Sequence, residues 1–168
     1  RRAGRCRSSP RGCSPTRDRP PDCARRRVTT IDFYTHVDDR LAVAARLAAK
    51  ALAQHGRVRV LTADEADTAA LDRLLWMQPA TGFLPHCRMD SPIAAETPVI
   101  VDHVLEHEGP AEVLINLRDA PPPFFSRFAR LAEIVSTDDA DAAAGRERYR
   151  FYRERGYELR AHNLAGKA

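Results

Sequence analysis

Short apolar segments rich in β-branched residues alternate along the chain with longer segments that have the hydrophobic spacing of helices. Such alternation predicts an α/β domain in which helices lie on a mostly parallel sheet. The predicted strands are residues 28–34, 57–61, 98–101, 112–117 and 132–135, with a final extended segment at 157–164. The helices between them begin at three capping signals: Asp38 or Asp39, a capping box at residues 62–65, and Ser136 or Asp138. They end near His55, Trp76 and Gly156.

Residues 1–27 differ from the rest of the chain in composition. They hold ten arginines against Asp18 and Asp22, so they carry a formal charge of +8, while residues 28–168 carry −4. A segment this rich in Arg and Pro and this poor in apolar residues cannot offset its ordering entropy. We therefore expect a disordered extension, such as a wrongly assigned start would add; a basic arm or an organelle-targeting peptide is the alternative. Residues 28–168 form the predicted domain.

The charge and the cysteines of the chain limit the classes of function. A mildly acidic domain argues against broad electrostatic binding to DNA, which needs concentrated positive charge. The domain has one cysteine, Cys87, and the spacings of Cys6, Cys13 and Cys23 lack the close pairs of zinc sites. No apolar run approaches the roughly 20 residues that span a bilayer. These features favour a cytoplasmic protein with no membrane partner.

The first predicted strand-to-helix turn, residues 35–39, contains no glycine. Dinucleotide sites and P-loops need glycines there so that backbone amides can approach phosphate. Asp38 and Asp39 would place two carboxylates where an anion docks, and both are better explained as helix caps. The sequence therefore predicts no nucleotide site and no other cofactor.

One short motif has the spacing of a zinc peptidase site. His103, Glu106 and His107 match the H-x-x-E-H pattern, which on a helix brings two histidines to one face. The motif directly follows a predicted strand, and Gly109-Pro110 would end any helix after about two turns. We therefore expect solvated loop histidines, with a zinc-dependent hydrolase as the alternative.

The last predicted helix carries a basic stripe. Residues three and four apart on a helix share a face, and those of the stripe are Arg146, Tyr149, Arg150 and Arg153. Guanidinium groups beside an aromatic ring suit an acidic peptide, because arginine makes bidentate bonds to carboxylates. Two alternatives remain open at this point: a solvated face with Arg–Glu pairs through Glu147 and Glu154, and binding of DNA phosphate.

A second candidate binding surface is the apolar segment at residues 74–86, which contains the only tryptophan of the chain. It gathers four apolar side chains around a helix end and a loop: Trp76, Met77, Phe83 and Leu84. Exposed aromatic clusters of this kind are typical of protein interfaces. The alternative is that the two aromatic residues cover the core.

Several segments together resemble the chi subunit family of bacterial DNA polymerase III. They are residues 31–34 (IDFY), 74–76 (LLW), 82–86 (GFLPH), 112–117 (EVLINL) and 146–153 (RERYRFYR) followed by Gly156-Tyr157. Their order and spacing match as well, and the resemblance covers about residues 28–163. It implies a Rossmann-like, three-layer α/β domain with helices on both faces of the sheet and without nucleotide chemistry.

The resemblance also implies a non-catalytic adaptor of the replication machinery. Chi proteins pair with the psi subunit of the clamp loader and bind the acidic, Phe-ended C-terminal tail of single-stranded DNA-binding protein, so they reach DNA only indirectly. The family's tail-binding positions match Arg146, Tyr149, Arg150 and Arg153. Its other partner surface matches Trp76 and Phe83, and we assign Leu84 and Pro85, which follow in the chain, to the same surface. In some bacteria a repair helicase takes that second surface.

Binding of this kind would act as a tether. Arginines would hold the terminal carboxylate and acidic side chains of the tail, and a neighbouring apolar notch would take its last phenylalanine.

Two features depart from the family pattern: residues 1–27 have no counterpart, and Gly145 stands where a helix former is usual. The rival interpretations are zinc hydrolysis through His103, Glu106 and His107, and direct DNA binding through the last helix.

Overall fold

The computed structural model describes residues 29–77, 83–106 and 109–166. Its strands are β1 (Thr30–Val37), β2 (Val58–Leu61), β3 (His86–Cys87), β4 (Val99–Asp102), β5 (Val113–Asn116), β6 (Arg130–Ser136) and β7 (Glu158–Asn163). Its helices are α1 (Arg40–His55), α2 (Glu65–Met77) and α3 (Asp139–Glu154), with a 3-10 helix at Phe125–Arg127. The predictions made for residues 1–27 and for His107 concern positions outside the described residues.

All of these strands join one sheet in the order β3-β4-β2-β5-β6-β1-β7, and every neighbouring pair is parallel. Parallel strands covered on both faces are continuous apolar runs, and every residue of β2 and β5 is buried. The parallel sheet predicted from the sequence is confirmed. The strand β3 is not among the predicted elements, because two residues are too few for a periodic pattern.

Helices cover both faces of this sheet. α1 and α2 pack on one face through a core that includes Ala44, Ala48 and Leu71. On the opposite face, α3 and the 3-10 helix pack through Phe125 and Tyr152. The three-layer α/β architecture is therefore confirmed. Within the described ranges, no helix has the length and apolar character that a membrane span requires.

Aspartate side chains cap α1 and α3 at their N-termini. The Asp39 carboxylate accepts a hydrogen bond from the backbone N–H of Ala42 at 3.0 Å, and Asp138 accepts from N–H groups in the first turn of α3. Such caps satisfy helix N–H groups that have no partner within the helix. The glycine-free turn after β1 thus uses the Asp39 carboxylate to begin a helix.

The predicted capping box of α2 is wrong. The backbone N–H of Asp67 donates to the Asp64 carboxylate at 2.9 Å, so Asp64 is the cap. Thr62 is fully buried after β2, and its hydroxyl pairs with that of Thr68 at 2.6 Å instead of accepting from a helix N–H group. The helix therefore begins at Glu65, one residue after its cap.

Gly145 lets α3 lie close against β6. It belongs to the buried face of the helix, and a Cβ atom there would lie 2.8 Å and 2.9 Å from the two γ-carbons of Val135. A helical glycine costs about 1 kcal/mol relative to alanine, so helix propensity alone makes this residue unfavourable. The close approach of helix and strand explains the departure from the family pattern.

Gly145→Ala is expected to destabilise the domain by about 1–3 kcal/mol through overpacking, whereas the same change at an exposed helical position would stabilise it. Urea unfolding of the variant and of its parent gives the two free energies of unfolding, and their difference checks this expectation. Val135→Ala removes both γ-carbons, so Gly145→Ala should cost less in that background. A Gly145→Ala protein as stable as its parent would contradict the close packing.

Candidate functional site

The two faces of α3 differ in exposure. Its buried residues are Asp141, Gly145, Arg148 and Tyr152. The four residues predicted to form a stripe are all exposed: Arg146, Tyr149, Arg150 and Arg153. We call these four residues the α3 stripe. Helical spacing therefore identified a surface that a partner can reach.

Charge pairing within the helix involves only part of the α3 stripe. Arg150 Nη1 lies 3.2 Å from Glu147 Oε2, and both side chains are largely exposed. Exposed pairs of this kind contribute little to stability and are easily exchanged for another partner. Arg146 and Arg153 form no ion pair with any residue in the described ranges. Two guanidinium groups of the stripe therefore have no carboxylate of the described chain beside them.

An apolar groove of about 370 Å³ adjoins the α3 stripe. We call it the α3 groove; β1, β6, β7 and α3 all contribute to its lining. Phe33 and Val135 give it apolar walls, and Arg146 and Tyr149 of the stripe line it as well. Pockets that hold small ligands have volumes of roughly 300–1,000 Å³, so an aromatic side chain fits. A groove is thus present beside the arginines, where an apolar notch is expected.

Tyr149 is supported by an aromatic contact with the core. Its ring lies edge-on to Phe33, with 5.2 Å between ring centroids and 66° between ring planes. Phe33 is 2% exposed and Tyr149 is 37% exposed. Edge-to-face pairs contribute about 0.5–1.5 kcal/mol beyond their burial. One part of the tyrosine is therefore anchored, and the rest faces solvent beside the groove.

His36 also lines the α3 groove, and the sequence prediction did not place it there. β1 carries one extra residue against β6 between Tyr34 and Val37, and His36 within this bulge has a φ of 60°. Residues other than glycine rarely adopt this left-handed conformation, and bulges commonly redirect a side chain. No sequence pattern reveals the bulge, because it depends on the register with β6.

A buried network fixes α3 on the sheet. Glu133 of β6 and Arg148 of α3 are 0% and 1% exposed. The Glu133 carboxylate accepts hydrogen bonds from Arg148 Nε at 2.8 Å, from the Tyr152 hydroxyl at 2.7 Å and from Asn116 Nδ2 at 3.0 Å. Burial raises the pKa of Glu133, and the Arg148 charge and these hydrogen bonds oppose that shift. The network sets the rotation of α3, and thereby the residues that face solvent.

Sequence reasoning missed this network, although one signal for it was present. Glu133 interrupts a run of apolar residues at 131–135 that forms a strand. A charged residue in a buried strand requires a partner that compensates its desolvation. Several arginines of the last helix could supply that partner, so spacing alone does not single out Arg148.

Trp76 and Phe83 form an exposed aromatic pair. Their side chains are 62% and 65% exposed, and their ring centroids are 5.3 Å apart. Met77, next in the chain to Trp76, is 68% exposed. The alternative that the aromatic residues cover the core is wrong, because most of each side chain is in solvent. Exposed apolar clusters of this kind are typical of protein interaction sites.

Leu84 and Pro85 do not share the exposure of that pair. Leu84 is 6% exposed and belongs to the same hydrophobic core cluster as Leu75. It is therefore a core residue that cannot contribute exposed contact area, which corrects its assignment to the partner surface. Pro85 is partly exposed. We call the surface formed by Trp76, Met77, Phe83 and Pro85 the aromatic surface.

Comparison with known proteins adds to this geometry. Residues 28–160 match the family described as DNA polymerase III chi subunit, HolC. The chain belongs to the chi subunit family of DNA polymerase III. DNA polymerase III subunit chi of Pseudomonas aeruginosa is 38% identical over 141 residues, which cover 82% of this chain and 98% of the relative. The chi subunit of Escherichia coli is 28% identical over 132 residues, which cover 78% and 88%. That of Haemophilus influenzae is 28% identical over 123 residues, which cover 73% and 85%.

Membership in the chi family confirms the resemblance inferred from the motifs. The chain is an accessory subunit of DNA polymerase III, and its relatives are named DNA polymerase III subunit chi. The family match begins before β1 and ends within β7, so it includes both the α3 stripe and the aromatic surface. The two candidate surfaces therefore lie in the part of the chain that is similar to chi subunits.

The structure gives the zinc-hydrolase interpretation no support in this chi-family protein. Residues 103–106 form no helix, and a helix is needed to bring the two histidines of the motif to one face. His103 Nδ1 lies 3.4 Å from an Asp102 oxygen and 3.5 Å from a Glu65 oxygen. Within the described ranges, no three ligand-type side chains gather as a metal site would require.

Proposed function

We propose that this chi-family protein is a non-catalytic adaptor that joins two partners in the bacterial cytoplasm. The α3 stripe and α3 groove bind the acidic, Phe-ended C-terminal tail of single-stranded DNA-binding protein. The aromatic surface binds the psi subunit, and through it the clamp loader. The observation that carries the first half is the position of Arg146 and Tyr149, which belong to the basic stripe and also line an apolar groove.

A chain end with a terminal phenylalanine offers two chemical groups that match this site. Its terminal carboxylate and acidic side chains pair with Arg146, Arg150 and Arg153, which present guanidinium groups suited to bidentate bonds. Its aromatic ring enters the groove between Phe33 and Val135, beside the Tyr149 ring. Neither half of the site alone distinguishes such a tail from other anions or other apolar side chains, so the combination provides the specificity.

Exposed charge pairs give weak, salt-sensitive binding. Weak contacts suffice for a tether, because several tails on one oligomer raise the effective concentration of the next tail after the first has bound. The adaptor makes and breaks no covalent bond in this proposal. It reaches DNA through the protein that carries the tail.

Calorimetric titration with a synthetic acidic peptide that ends in Phe tests this function. One peptide per protein is expected to bind, with affinity about 3–10-fold weaker at about 300 mM than at about 50 mM salt because of screening. Two control peptides separate the halves of the site: one ends in Ala, and the other has an amidated C-terminus. Both should bind at least about tenfold more weakly. Equal affinity for all three peptides, or better binding of single-stranded DNA alone, would contradict the proposal.

Trp76→Ala is expected to weaken binding of a psi subunit by about 30-fold, as loss of a central aromatic anchor does. The fold should tolerate the change, because the side chain is 62% exposed. Pull-down and calorimetry with psi measure the effect. Ile93→Ala is the matched control, since Ile93 is also a large exposed apolar residue, at 56%. Unchanged psi affinity of Trp76→Ala would rule out this surface. A repair helicase is the other partner that we propose for the aromatic surface, and it should compete with psi.

A further inference from the structure

A second cavity, of about 390 Å³, lies away from both proposed partner surfaces. Its lining comes from β2, from β4 and from two loop segments, residues 89–98 and 109–111. On this side of the sheet α3 packs on β6 and β7, so β2 and β4 are covered by loops instead of a helix. The cavity is the space between those loops and the strands.

Arg59 of β2 lines this cavity, although its side chain is almost completely enclosed. The run RVRVL at residues 57–61 alternates polar and apolar residues, which predicts that Arg59 faces solvent. In the structure it is 1% exposed. Its guanidinium donates to the Val104 carbonyl at 2.6 Å and to Met89 Sδ at 3.4 Å. It also lies 5.4 Å from the centroid of the Phe124 ring.

The buried Arg59 charge has no carboxylate of the described residues in contact. Within the described ranges it forms no ion pair, and its buried Nε has no hydrogen-bond partner. Asp102 and Glu106 act on the group only as more distant charges. Buried charges are normally paired, since desolvation of an isolated ion is unfavourable. Arg59 therefore carries a buried charge beside the cavity that no carboxylate of the described residues contacts.

The other residues of the cavity lining point to the same chemistry. Arg57, the residue before β2, adds a second cationic side chain. Ile100, Pro92 and Pro98 contribute apolar surface, and the lining residues that the structure describes include no carboxylate. Small-molecule sites commonly combine apolar walls with a few placed charges, in volumes of roughly 300–1,000 Å³.

We propose that this cavity binds a small organic anion, a carboxylate or phosphate on an apolar body, with Arg59 as the residue that pairs with its charge. The enclosure of Arg59 favours a small molecule over the surface of a macromolecule. The site is separate from the α3 stripe, so this proposal does not depend on the tail-binding function.

Phenyl phosphate and benzoate are suitable probes, with benzyl alcohol as the neutral analogue. Titration followed by NMR of the full chain is expected to show saturable binding of at least one anion at about 1 mM or tighter, with shifts at Arg59, Ile100 and Thr97. The relative affinities of the two anions identify which charged group the site prefers. Benzyl alcohol should bind at least about tenfold more weakly.

Arg59→Leu should fold, because it removes an unpaired buried charge, and should lose at least about tenfold in anion affinity. Ala94→Leu narrows the cavity without changing charge and should weaken binding as well. This variant tests the site if Arg59→Leu does not fold. Arg46→Glu, on the exposed face of α1, should leave the shifts at Ile100 and Thr97 unchanged. Undiminished affinity of Arg59→Leu or Ala94→Leu would overturn the proposal. So would equal binding of the neutral analogue, no binding of either anion at these residues, or loss of those shifts in Arg46→Glu.

Discussion

Replacing Arg148 with methionine is expected to destabilise the domain by about 3–5 kcal/mol. The change removes the cation that lies 2.8 Å from the Glu133 carboxylate, where both side chains are fully enclosed. Tyr152 and Asn116 would still donate to Glu133, but an uncompensated buried negative charge would remain. Urea unfolding measures the loss as a decrease in the free energy of unfolding.

Two further variants show whether the buried pair causes this loss. Glu133→Gln in the Arg148→Met background removes the unpaired buried charge of Glu133, so the double variant should be more stable than Arg148→Met alone. Arg150→Met changes the same residue type on the exposed face of α3 and should alter stability by less than about 0.5 kcal/mol. Equal losses for Arg148→Met and Arg150→Met would refute the network as the element that fixes α3.

Arg146→Glu is expected to weaken binding of the acidic tail peptide by about 30-fold or more, equivalent to about 2 kcal/mol. Arg146 lines the α3 groove and forms no ion pair within the described residues, so reversing its charge sets a carboxylate against the carboxylates of the tail. Like charges placed opposite each other across an interface disfavour binding strongly. The melting temperature should change little, because Arg146 is exposed. Calorimetric titration of the variant gives the affinity.

A change of net charge alone would also weaken binding of an acidic peptide, so a matched control is needed. Arg46 is an exposed arginine on α1, and Arg46→Glu makes the same change of two charge units away from the α3 stripe. Its effect should stay within about threefold and should vanish at higher salt, as expected for a screened long-range charge. If Arg46→Glu weakened the peptide as much as Arg146→Glu does, binding would depend on overall charge and not on this site.

The alternation of short apolar segments with helical segments was sufficient to predict the α/β layers, because parallel strands covered on both faces are mostly apolar. The stripe of α3 was also predictable, since helical spacing determines which residues share a face. The identity of the cap of α2 was not, because Thr62 is enclosed at the end of β2 and bonds to Thr68. That choice depends on burial, which the local sequence does not specify.

The parts of the site that come from distant segments escaped prediction for a similar reason. The α3 groove joins Phe33 and His36 of β1 to Gly145 of α3 and Ala161 of β7. These residues are brought together by the order of strands in the sheet, which the sequence did not supply. Gly145 shows the same dependence: its effect on helix propensity is local, while its packing against Val135 exists only in the folded domain.

Capture of an acidic chain end by the α3 stripe and α3 groove can be mapped by backbone amide NMR of the labelled protein, titrated with the Phe-ended acidic peptide. The largest shift changes should fall at Gly145, Tyr149 and Ala161, and Trp76 and Phe83 should be unaffected. Changes concentrated around Trp76 and Phe83, or absent from the three groove residues at saturation, would contradict it.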